Sequence, residues 1–370
     1  MPVDLLTVGV VATSLKQDEH RLAIHPAHIE RLEAVLRQQL YLERGYGERF
    51  GFTDERLGRL VAGLRSREEL LAECDVILLP KPLADDLETL RRGQVVWGWP
   101  HCVQDARMTQ LAIDNGLTLI AFEAMNHWTP EGNFSVHVFH KNNELAGYCS
   151  VMHSLQLIGS TGDYGRRLRA AVISFGATAR GAVRALSALG ISDVTVLTQR
   201  PTSAVASPFA SVRMQRFKPG QPLAEDLANY DIVVNCILQD TDHPLIFVRN
   251  EDLGLFRRGS LFVDVSCDEG MGFEWARPTT FADPMFDVGE GLHYYAVDHS
   301  PSFLWDSATW ENSEALLGYL PAVVMGPAAW GANETLARAI EIRDGIIQNP
   351  RIISFQGRSA AYPYDVLRSG

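Results

Sequence analysis

The chain has 370 residues, of which 46% are hydrophobic, and this is enough for two domains that each bury a core. Its formal net charge of −12 argues against nucleic acid as a partner, because phosphate binding needs clustered lysine and arginine. No apolar run approaches the ~20 residues of a membrane-spanning helix, and the start "MPVDLLTVGVVATS" predicts a first strand rather than a signal peptide.

Short β-rich runs alternate with amphipathic segments along the chain. Residues 8–12 predict a strand, and Pro26 suits the first turn of a helix with apolar positions at Ile29, Leu32 and Leu36. Further strands are predicted at "DVILLP" (75–80), "QVVWGW" (94–99), "LTLIAF" (117–122), "VTVLT" (194–198), "DIVVNCI" (231–237), "SLFVDVS" (260–266) and "HYYAV" (293–297). This βαβ rhythm predicts parallel sheets with helices on both faces.

The pattern falls into two α/β blocks. We expect two Rossmann-like, doubly wound domains with mostly parallel sheets and an active site in the cleft between them. The segment "NNELAGYCSVMHSLQLIG" (142–159) predicts a long helix between the blocks, and a second helix predicted over "ANETLARAIEIRDGIIQ" (332–348) returns to the first block. The expected division is a discontinuous substrate domain, residues 1–142 and 299–370, and a dinucleotide-binding domain, residues 143–298.

The stretch "AAVISFGATARG" (170–181) is typical of a strand, a glycine loop and a helix. Gly176 and Gly181 take the first and third glycine positions of the dinucleotide fingerprint, and Thr178 replaces the second glycine. The first amides of the helix would bind the pyrophosphate. The alternative is a tight turn that binds nothing. The candidate cofactor-binding residues here are Gly176, Ala177, Thr178, Ala179, Arg180 and Gly181.

The segment "LTQRP" follows the next strand, where NAD enzymes usually carry an acidic residue that bonds the ribose. Here Gln199 and Arg200 stand at that position. An arginine attracts a 2′-phosphate that a carboxylate would repel. The residues therefore favour NADPH over NADH, the alternative being an arginine that merely faces solvent.

Four chemistry-bearing residues follow predicted strands or their loops, namely Arg21, Lys81, His101 and Asp268. Each taken alone is explained equally well as a solvated charge, a loop histidine or a turn residue. Together they would supply a cationic pair for a carboxylate, an acid–base group that titrates near neutral pH, and an anion beside the nicotinamide.

These segments resemble the superfamily of alanine dehydrogenase, transhydrogenase and saccharopine dehydrogenase. The segments "EHRLAIHPAHIERL", "NELAG" and "FVDVSCDEGMGFEWARPTTFADPMF" are similar to its motifs "E-x-R-V-A-x-x-P", "SEVAG" and "D-x-x-x-D-x-G-G…RPTT…P-x-F". Within the superfamily, "FEAMNHW", "FHKNNELAGYCSVMHSLQLIGSTGDYG" and "YYAVDHSPSFLWDSATWENSEAL" most resemble the N5-(carboxyethyl)ornithine synthases.

The resemblance implies reductive condensation of pyruvate with the side-chain amine of ornithine or lysine, using NADPH. It implies that Arg21 and Lys81 hold the keto-acid carboxylate, that His101 is the acid–base group, and that Asp268 lies beside the nicotinamide and substrate. Further implied cofactor contacts are Asn143, Val265, His299 and Ser300. The chain departs from the family at Thr178, where the family has glycine, and at Gln199, where NAD-specific members have aspartate.

Other reactions remain open at this point. Ammonia as the amine would give alanine dehydrogenase activity, and lysine with 2-oxoglutarate would give saccharopine. An NADPH-binding protein without turnover is the alternative outside enzymes. The expected partners are small molecules, a 2-oxo acid and an amino acid, within a homo-oligomer, without nucleic acid or membrane. Candidates for binding the amine substrate are Glu123, Trp128, Asp298 and Trp305.

The cysteine count and the histidine spacing predict neither disulfides nor a metal centre. The five cysteines are odd in number and contain no C-x-x-C pair, which fits a cytoplasmic location. The pairs Glu123 with His127 and His137 with His140 have the spacing of ligands on a helix, but neither segment has a clear helical pattern. We therefore expect no metal.

Overall fold

The computed structural model describes residues 5–205, 207, 211–218, 220–239 and 243–367. The chain divides into two compact units. The first unit consists of Met1–Phe139 and Trp305–Gly370, and the second consists of His140–Leu304.

The regular elements are short, and most strands have three to six residues. The strands are β1 (Val8–Val10), β2 (Leu40–Glu43), β3 (Gly63–Arg65), β4 (Val76–Leu78), β5 (Val95–Gly98), β6 (Thr118–Ala121), β7 (Asn126–Trp128), β8 (Phe134–His137), β9 (Arg169–Ile173), β10 (Asp193–Thr198), β11 (Val212–Arg216), β12 (Ile232–Asn235), β13 (Ile246–Val248), β14 (Leu261–Asp264), β15 (Gly272–Phe273), β16 (Met285–Val288), β17 (Leu292–Tyr295), β18 (Ile340–Arg343) and β19 (Ile346–Ile347).

The α-helices are α1 (Ala34–Arg37), α2 (Asp54–Gly58), α3 (Arg67–Glu73), α4 (Ala84–Leu87), α5 (Ala106–Asp114), α6 (His140–Leu157), α7 (Ala177–Ala188), α8 (Ala224–Leu227), α9 (Trp305–Leu316), α10 (Leu320–Met325), α11 (Pro327–Ala332), α12 (Glu334–Ala339) and α13 (Pro350–Phe355). Short 3₁₀ helices occupy Pro26–Arg31, Glu48–Phe50, Phe122–Ala124, Thr202–Ala204, Asn250–Leu255 and Ser300–Leu304. Within the described ranges, no helix is long and apolar enough to cross a lipid bilayer.

The first unit is built on a sheet with the strand order β19-β18-β6-β5-β4-β1-β2-β3. The strands from β6 to β3 are parallel, and β18 and β19 are antiparallel additions at one edge. Alternate residues of one strand serve opposite cores: Val76 and Leu78 face one apolar cluster, and Ile77 faces the other. A strand buried on both faces is typical of a parallel sheet covered by helices on both sides.

The second unit is built on a sheet with the order β11-β10-β9-β12-β14-β17-β16, in which only the described edge strand β16 is antiparallel. Its central strand β9 places Val172 in one core and Ile173 in the other. From β9, the chain adds β10 and β11 on one side of the sheet and then β12 and β14 on the other side. This reversal of strand order is typical of a doubly wound Rossmann sheet. The expectation of an α/β fold with two mostly parallel sheets is therefore confirmed.

The prediction of a helix over 332–348 is wrong for the second half of that segment. The helical segment is α12, and the chain then forms the hairpin of β18 and β19. Asp344 and Gly345 both have positive φ (51° and 79°) and make the hairpin turn. An Asp-Gly pair in a segment with isoleucines on both sides is a strong hairpin signal, and here it outweighs the helical spacing of the apolar positions.

The helix predicted from Pro26 is also interrupted. A 3₁₀ helix covers Pro26–Arg31, Leu32 is extended with ψ 145°, and α1 follows. Ile29, Leu32 and Leu36 are nevertheless all buried. The apolar spacing predicted burial correctly, but a helix this short depends on its packing for its exact form.

Candidate active site

Three predicted residues of the first unit follow parallel strands that lie side by side. Lys81 follows β4, His101 follows β5 and Glu123 follows β6. Because the carboxyl ends of parallel strands meet at one edge of a sheet, this edge is where a doubly wound fold binds its ligand. The structure brings these three side chains together.

The contact between them is direct. Lys81 Nζ lies 2.9 Å from His101 Nε2. Glu123 Oε1 accepts a hydrogen bond from the backbone N–H of His101 at 2.7 Å and lies 3.8 Å from Nδ1 of the same histidine. When Lys81 donates to Nε2, the ring proton of neutral His101 is assigned to Nδ1, on the side of Glu123. The arrangement gives an imidazole with a cation at one nitrogen and a carboxyl group at the other.

His101 has a backbone conformation that non-glycine residues rarely adopt, with φ 48°. Its carbonyl oxygen accepts hydrogen bonds from the backbone N–H groups of Gln104 and Asp105, and its own N–H is held by Glu123. Such strained conformations persist where neighbouring contacts fix them, and they concentrate at functional sites. In this conformation the His101 ring contacts Lys81.

The carboxyl group of Glu123 lies in an environment that disfavours its charge. Although 29% of its side-chain surface is exposed, Oε2 is buried and accepts no hydrogen bond from any residue that the structure describes. Burial, followed by the charge of Glu341, raises the pKa of Glu123 to about 8. Glu123 therefore keeps its proton through much of the neutral range and can exchange it.

Arg21 is held by a residue for which the sequence suggested no role. Its Nε and Nη2 atoms donate to the two carboxylate oxygens of Glu19 at 2.8 and 2.5 Å, and both side chains are almost fully buried. The guanidinium also lies 5.1 Å from the ring centroid of Trp99. One edge of the Arg21 guanidinium is thus already paired with Glu19. The sequence had predicted only that Arg21 and Lys81 form a cationic pair for a substrate carboxylate. The "E-x-R" spacing was the available signal for Glu19.

Three further residues suggested for the amine substrate have structural contacts. Trp128 packs under the guanidinium of Arg338 at 4.0 Å, and Trp305 packs under that of Arg49 at 5.3 Å. Asp298, in the second unit, lies 2.7 Å from Nδ1 of His299. None of these contacts assigns them to a substrate.

The glycine loop of the second unit is open at its first glycine. Gly176 is the N-cap of α7 and is exposed, and a Cβ atom added there would meet nothing within 4 Å. Ala177 and Thr178 in the first turn are partly exposed, whereas Ala179 is buried. The free amides of a helix N-terminus favour an anion. The first turn of α7 is therefore open at Gly176, where its backbone N–H groups are accessible.

Gly181 has a packing role that differs from the expected contact of the helix with the sheet. A Cβ atom added to Gly181 would lie 1.7 Å from the backbone oxygen of Glu144 in α6. A Cβ atom on Gly147 would likewise lie 1.9 Å from the backbone oxygen of Thr178. The two glycines allow α6 and α7 to cross at backbone contact, which fixes the start of α7.

Arg200 approaches the same loop from the end of β10. Its Nη2 donates to the backbone oxygen of Phe175 at 2.5 Å, and its backbone N–H donates to Thr198 Oγ1 at 3.2 Å. Arg180 stacks over the Phe175 ring at 4.7 Å. Gln199 is partly exposed, and its carbonyl accepts from Arg216 at 3.2 Å. Two exposed guanidinium groups thus lie around the loop.

The remaining cofactor candidates belong to the second unit. Asn143 lies in the first turn of α6, Ser300 Oγ donates to the backbone oxygen of Ala146 at 3.1 Å, and His299 is buried. Val265 and Asp268 are partly exposed in the loop after β14. Burial raises the pKa of the Asp268 carboxyl.

A buried carboxyl group supports that loop. Asp264, the last residue of β14, accepts hydrogen bonds from Tyr294 Oη at 2.8 Å and from Asn235 Nδ2 at 3.0 Å. It is fully buried, and burial raises its pKa to about 7. The sequence showed Asp264 only as the first aspartate of the quoted "D-x-x-x-D" motif.

The described residues include no cluster of three or more His, Cys, Asp or Glu side chains arranged to hold a metal ion. Glu123 lies in a 3₁₀ helix and His127 in β7, whereas His137 ends β8 and His140 begins α6. The pairs singled out by spacing therefore do not share a helix.

Comparisons with known proteins give consistent matches along the chain. A family model described as "Alanine dehydrogenase/PNT, N-terminal domain" matches residues 9–146, and the corresponding C-terminal domain model matches residues 161–350. The N(5)-(carboxyethyl)ornithine synthase of Clostridium botulinum is 26% identical over 313 residues, covering 80% of this chain and 89% of the relative. An alanine dehydrogenase of Mycobacterium tuberculosis is 25% identical, covering 98% and 100%.

Solved structures show the same fold. An L-alanine dehydrogenase superimposes with a TM-score of 0.78 at 19% identity, covering 95% of this chain and 99% of its own. A transhydrogenase from Sinorhizobium meliloti superimposes with a TM-score of 0.72 at 21% identity, covering 93% and 99%.

Proposed function

Because the chain belongs to the alanine dehydrogenase/PNT family, we propose that it is a nicotinamide-dinucleotide-dependent oxidoreductase of CH–NH bonds. The proposed reaction is the reductive condensation of pyruvate with the side-chain amine of ornithine or lysine. The observation that carries the enzymatic assignment is the contact of Lys81 with His101, whose backbone N–H is bonded to the carboxyl group of Glu123. The choice of amine rests on similarity to the carboxyethylornithine synthases.

NADPH is the proposed cofactor. The open N-terminus of α7 at Gly176 suits the pyrophosphate, and Arg200 supplies a cation where an NAD enzyme usually has a carboxylate. Asn143, Val265, His299 and Ser300 are the proposed further contacts. When bound, the reduced nicotinamide supplies hydride to an electron-poor carbon.

The side chains of the first unit suit the steps that precede hydride transfer. Lys81 and Arg21 bind the keto-acid carboxylate, and Arg21 is held rigidly by Glu19, so that the substrate is oriented for attack on its keto carbon. His101 removes a proton from the substrate amine and returns it to the departing hydroxyl, so that water leaves and an iminium forms. Asp268 is assigned to the cofactor ribose or to balancing the iminium charge.

Alanine dehydrogenase activity is the second candidate. It is favoured by relatives of that name that match almost the whole chain. In that reaction ammonia replaces the amino-acid amine, and the roles of Lys81 and His101 are unchanged. Saccharopine formation and NADPH binding without turnover are the remaining alternatives.

A screen of cofactor oxidation separates these possibilities. Purified protein would be mixed with pyruvate or 2-oxoglutarate, each paired with ammonia, ornithine, lysine or arginine, with NADPH and NADH in parallel. We expect NADPH oxidation with pyruvate and ornithine or lysine, and a secondary-amine product by mass spectrometry. Turnover with ammonia alone would assign alanine dehydrogenase activity, and a strict NADH requirement would overturn the cofactor proposal.

A further inference from the structure

Arg216 is the last residue of β11, the strand that lies beside the one leading to Arg200. Strands β10 and β11 are parallel, and Thr198, the last residue of β10, is the register partner of Arg216. The two strands therefore end at the same level of the sheet, and Gln199 and Arg200 follow β10 directly. Because ligands bind at the carboxyl ends of the strands in such a sheet, Arg216 lies at the end where the cofactor is proposed to bind.

The side chain of Arg216 belongs to the face of the sheet that α7 covers. Val212 and Met214, four and two residues earlier in β11, pack against the same apolar core as Val183 of α7. Since successive side chains of a strand point to opposite faces, Arg216 lies on the same face as Met214. Arg216 and the open first turn of α7 are thus on one face of the sheet, at the carboxyl end of its strands.

Hydrogen bonds connect Arg216 to the glycine loop through the residues that follow β10. Arg216 Nε donates to the backbone oxygen of Gln199 at 3.2 Å, and Arg200 Nη2 donates to the backbone oxygen of Phe175, the residue before Gly176, at 2.5 Å. Within the described ranges, the bond to Gln199 is the only hydrogen bond of the Arg216 side chain, which is exposed. Its Nη groups therefore remain accessible to a ligand, while Nε is fixed on the residue directly before Arg200.

The segment that carries these arginines is basic, although the protein as a whole is acidic. Residues 194–224 contain four lysine or arginine residues and no aspartate or glutamate, whereas the formal net charge of the chain is −12. Arg213 is paired with the carboxylate of Asp193, while the guanidinium partners of Arg200 and Arg216 are backbone oxygens. A backbone oxygen does not neutralise a guanidinium, so these two charges can attract a phosphate.

We propose that Arg216 and Arg200 together bind the 2′-phosphate of NADPH, which makes Arg216 a second determinant of the cofactor preference. The inference rests on the proposed function, in which NADPH is the cofactor. A dinucleotide with its pyrophosphate at the first turn of α7 has its adenosine ribose near the end of the next strand, which here is β10. A phosphate monoester carries nearly two negative charges at neutral pH, and two guanidinium groups neutralise them better than one.

A structural role for Arg216 makes a different prediction. An arginine that only held the end of β10 through Gln199 would affect NADPH and NADH alike, because the two cofactors share their pyrophosphate and ribose groups. An arginine that binds the 2′-phosphate affects NADPH alone, since NADH lacks that group. The difference in affinity between the two cofactors therefore separates the two roles.

The first test is the Kd of NADPH and of NADH for Arg216→Ala, measured by fluorescence titration without substrates. We expect the Kd of NADPH to rise by about 10- to 100-fold, as for loss of a charge-assisted hydrogen bond, and the Kd of NADH to stay nearly unchanged. Arg213→Ala, at an exposed arginine of the same strand, is the matched control and should change neither Kd. An unchanged Kd of NADPH, or an equal rise for both cofactors, would overturn the role of Arg216.

A second titration isolates the phosphate group. Adenosine 2′,5′-bisphosphate and adenosine 5′-monophosphate differ only in the 2′-phosphate, and isothermal titration calorimetry measures the binding of each. Arg216→Ala should weaken binding of the bisphosphate and leave binding of the monophosphate unchanged, and equal effects on both would contradict the inference.

The same titrations separate this inference from the proposals on which it rests. A wild type that binds NADPH no more tightly than NADH would overturn the cofactor proposal, and Arg216 with it. A wild-type preference for NADPH that persists in Arg216→Ala would remove Arg216 alone. Because no 2-oxo acid or amine is present, failure of every substrate pair in the oxidation screen would overturn the proposed reaction without affecting the result for Arg216.

Discussion

Lys81 Nζ lies 2.9 Å from Nε2 of His101, and the two residues follow adjacent parallel strands. The contact orients an imidazole whose backbone is already strained, so its position is fixed before substrate binds. In the proposed reaction, preorganisation of this kind would lower the barrier, because little reorientation remains.

His101→Ala removes the proposed acid–base group. We expect kcat to fall by about 10²- to 10⁴-fold, with the Kd of NADPH unchanged, because the histidine belongs to a different unit from the glycine loop. Steady-state kinetics and fluorescence titration with NADPH measure the two quantities. His293→Ala, in β17 of the second unit, serves as the control. Normal turnover in His101→Ala would remove the acid–base assignment.

Arg200→Ala tests the cofactor preference. Loss of a charge-assisted contact with a 2′-phosphate should raise the KM for NADPH by about 10- to 150-fold and leave the KM for NADH nearly unchanged. The comparison is made by measuring both cofactors with one substrate pair. Arg184→Ala, an exposed arginine of α7, is the matched control. An equal rise for both cofactors would show that Arg200 acts only on the loop, through Phe175.

Gly181→Ala tests the crossing of α6 and α7. A methyl group 1.7 Å from the backbone of Glu144 forces the helices apart, and we expect a destabilisation of about 1–3 kcal/mol or more. Differential scanning calorimetry should show a lower Tm. Gly176→Ala meets nothing within 4 Å, so its Tm should change much less while dinucleotide binding weakens. Equal Tm values for Gly181→Ala and the wild type would contradict the packing role.

The stability of the folded protein should depend on pH through the carboxyl group of Asp264. Its pKa is about 7 when folded and about 3.9 when unfolded, so the folded state retains a proton that the unfolded state releases. The stability that this group contributes is therefore greatest near pH 4 and is lost as the pH rises through 7. The Tm difference between wild type and Asp264→Asn should shrink from pH 5 to pH 8. Asp283→Asn, at an exposed turn, should show a constant difference.

The candidate site was partly predictable because its residues follow strands. Lys81 and His101 were identified from their positions after apolar runs, and Glu123 was suggested only for binding the amine substrate; the fold brought the three together. Glu19 and Asp264 were present in the quoted motifs, but their positions in the sequence did not predict the side chains that they contact. Glu341 could not be found, because the segment around it was predicted as a helix.

Sequence patterns alone were sufficient to predict the α/β class, the glycine loop and the residues that follow the strands. These features depend on periodicity and on local backbone preferences, which act over a few neighbouring residues. Three further features became known from the folded chain: Glu19 pairs with Arg21, Gly181 packs against α6, and Glu341 lies in a bulge beside β6. Such contacts join residues that the chain holds far apart or on different elements, and only sheet pairing and close packing select them.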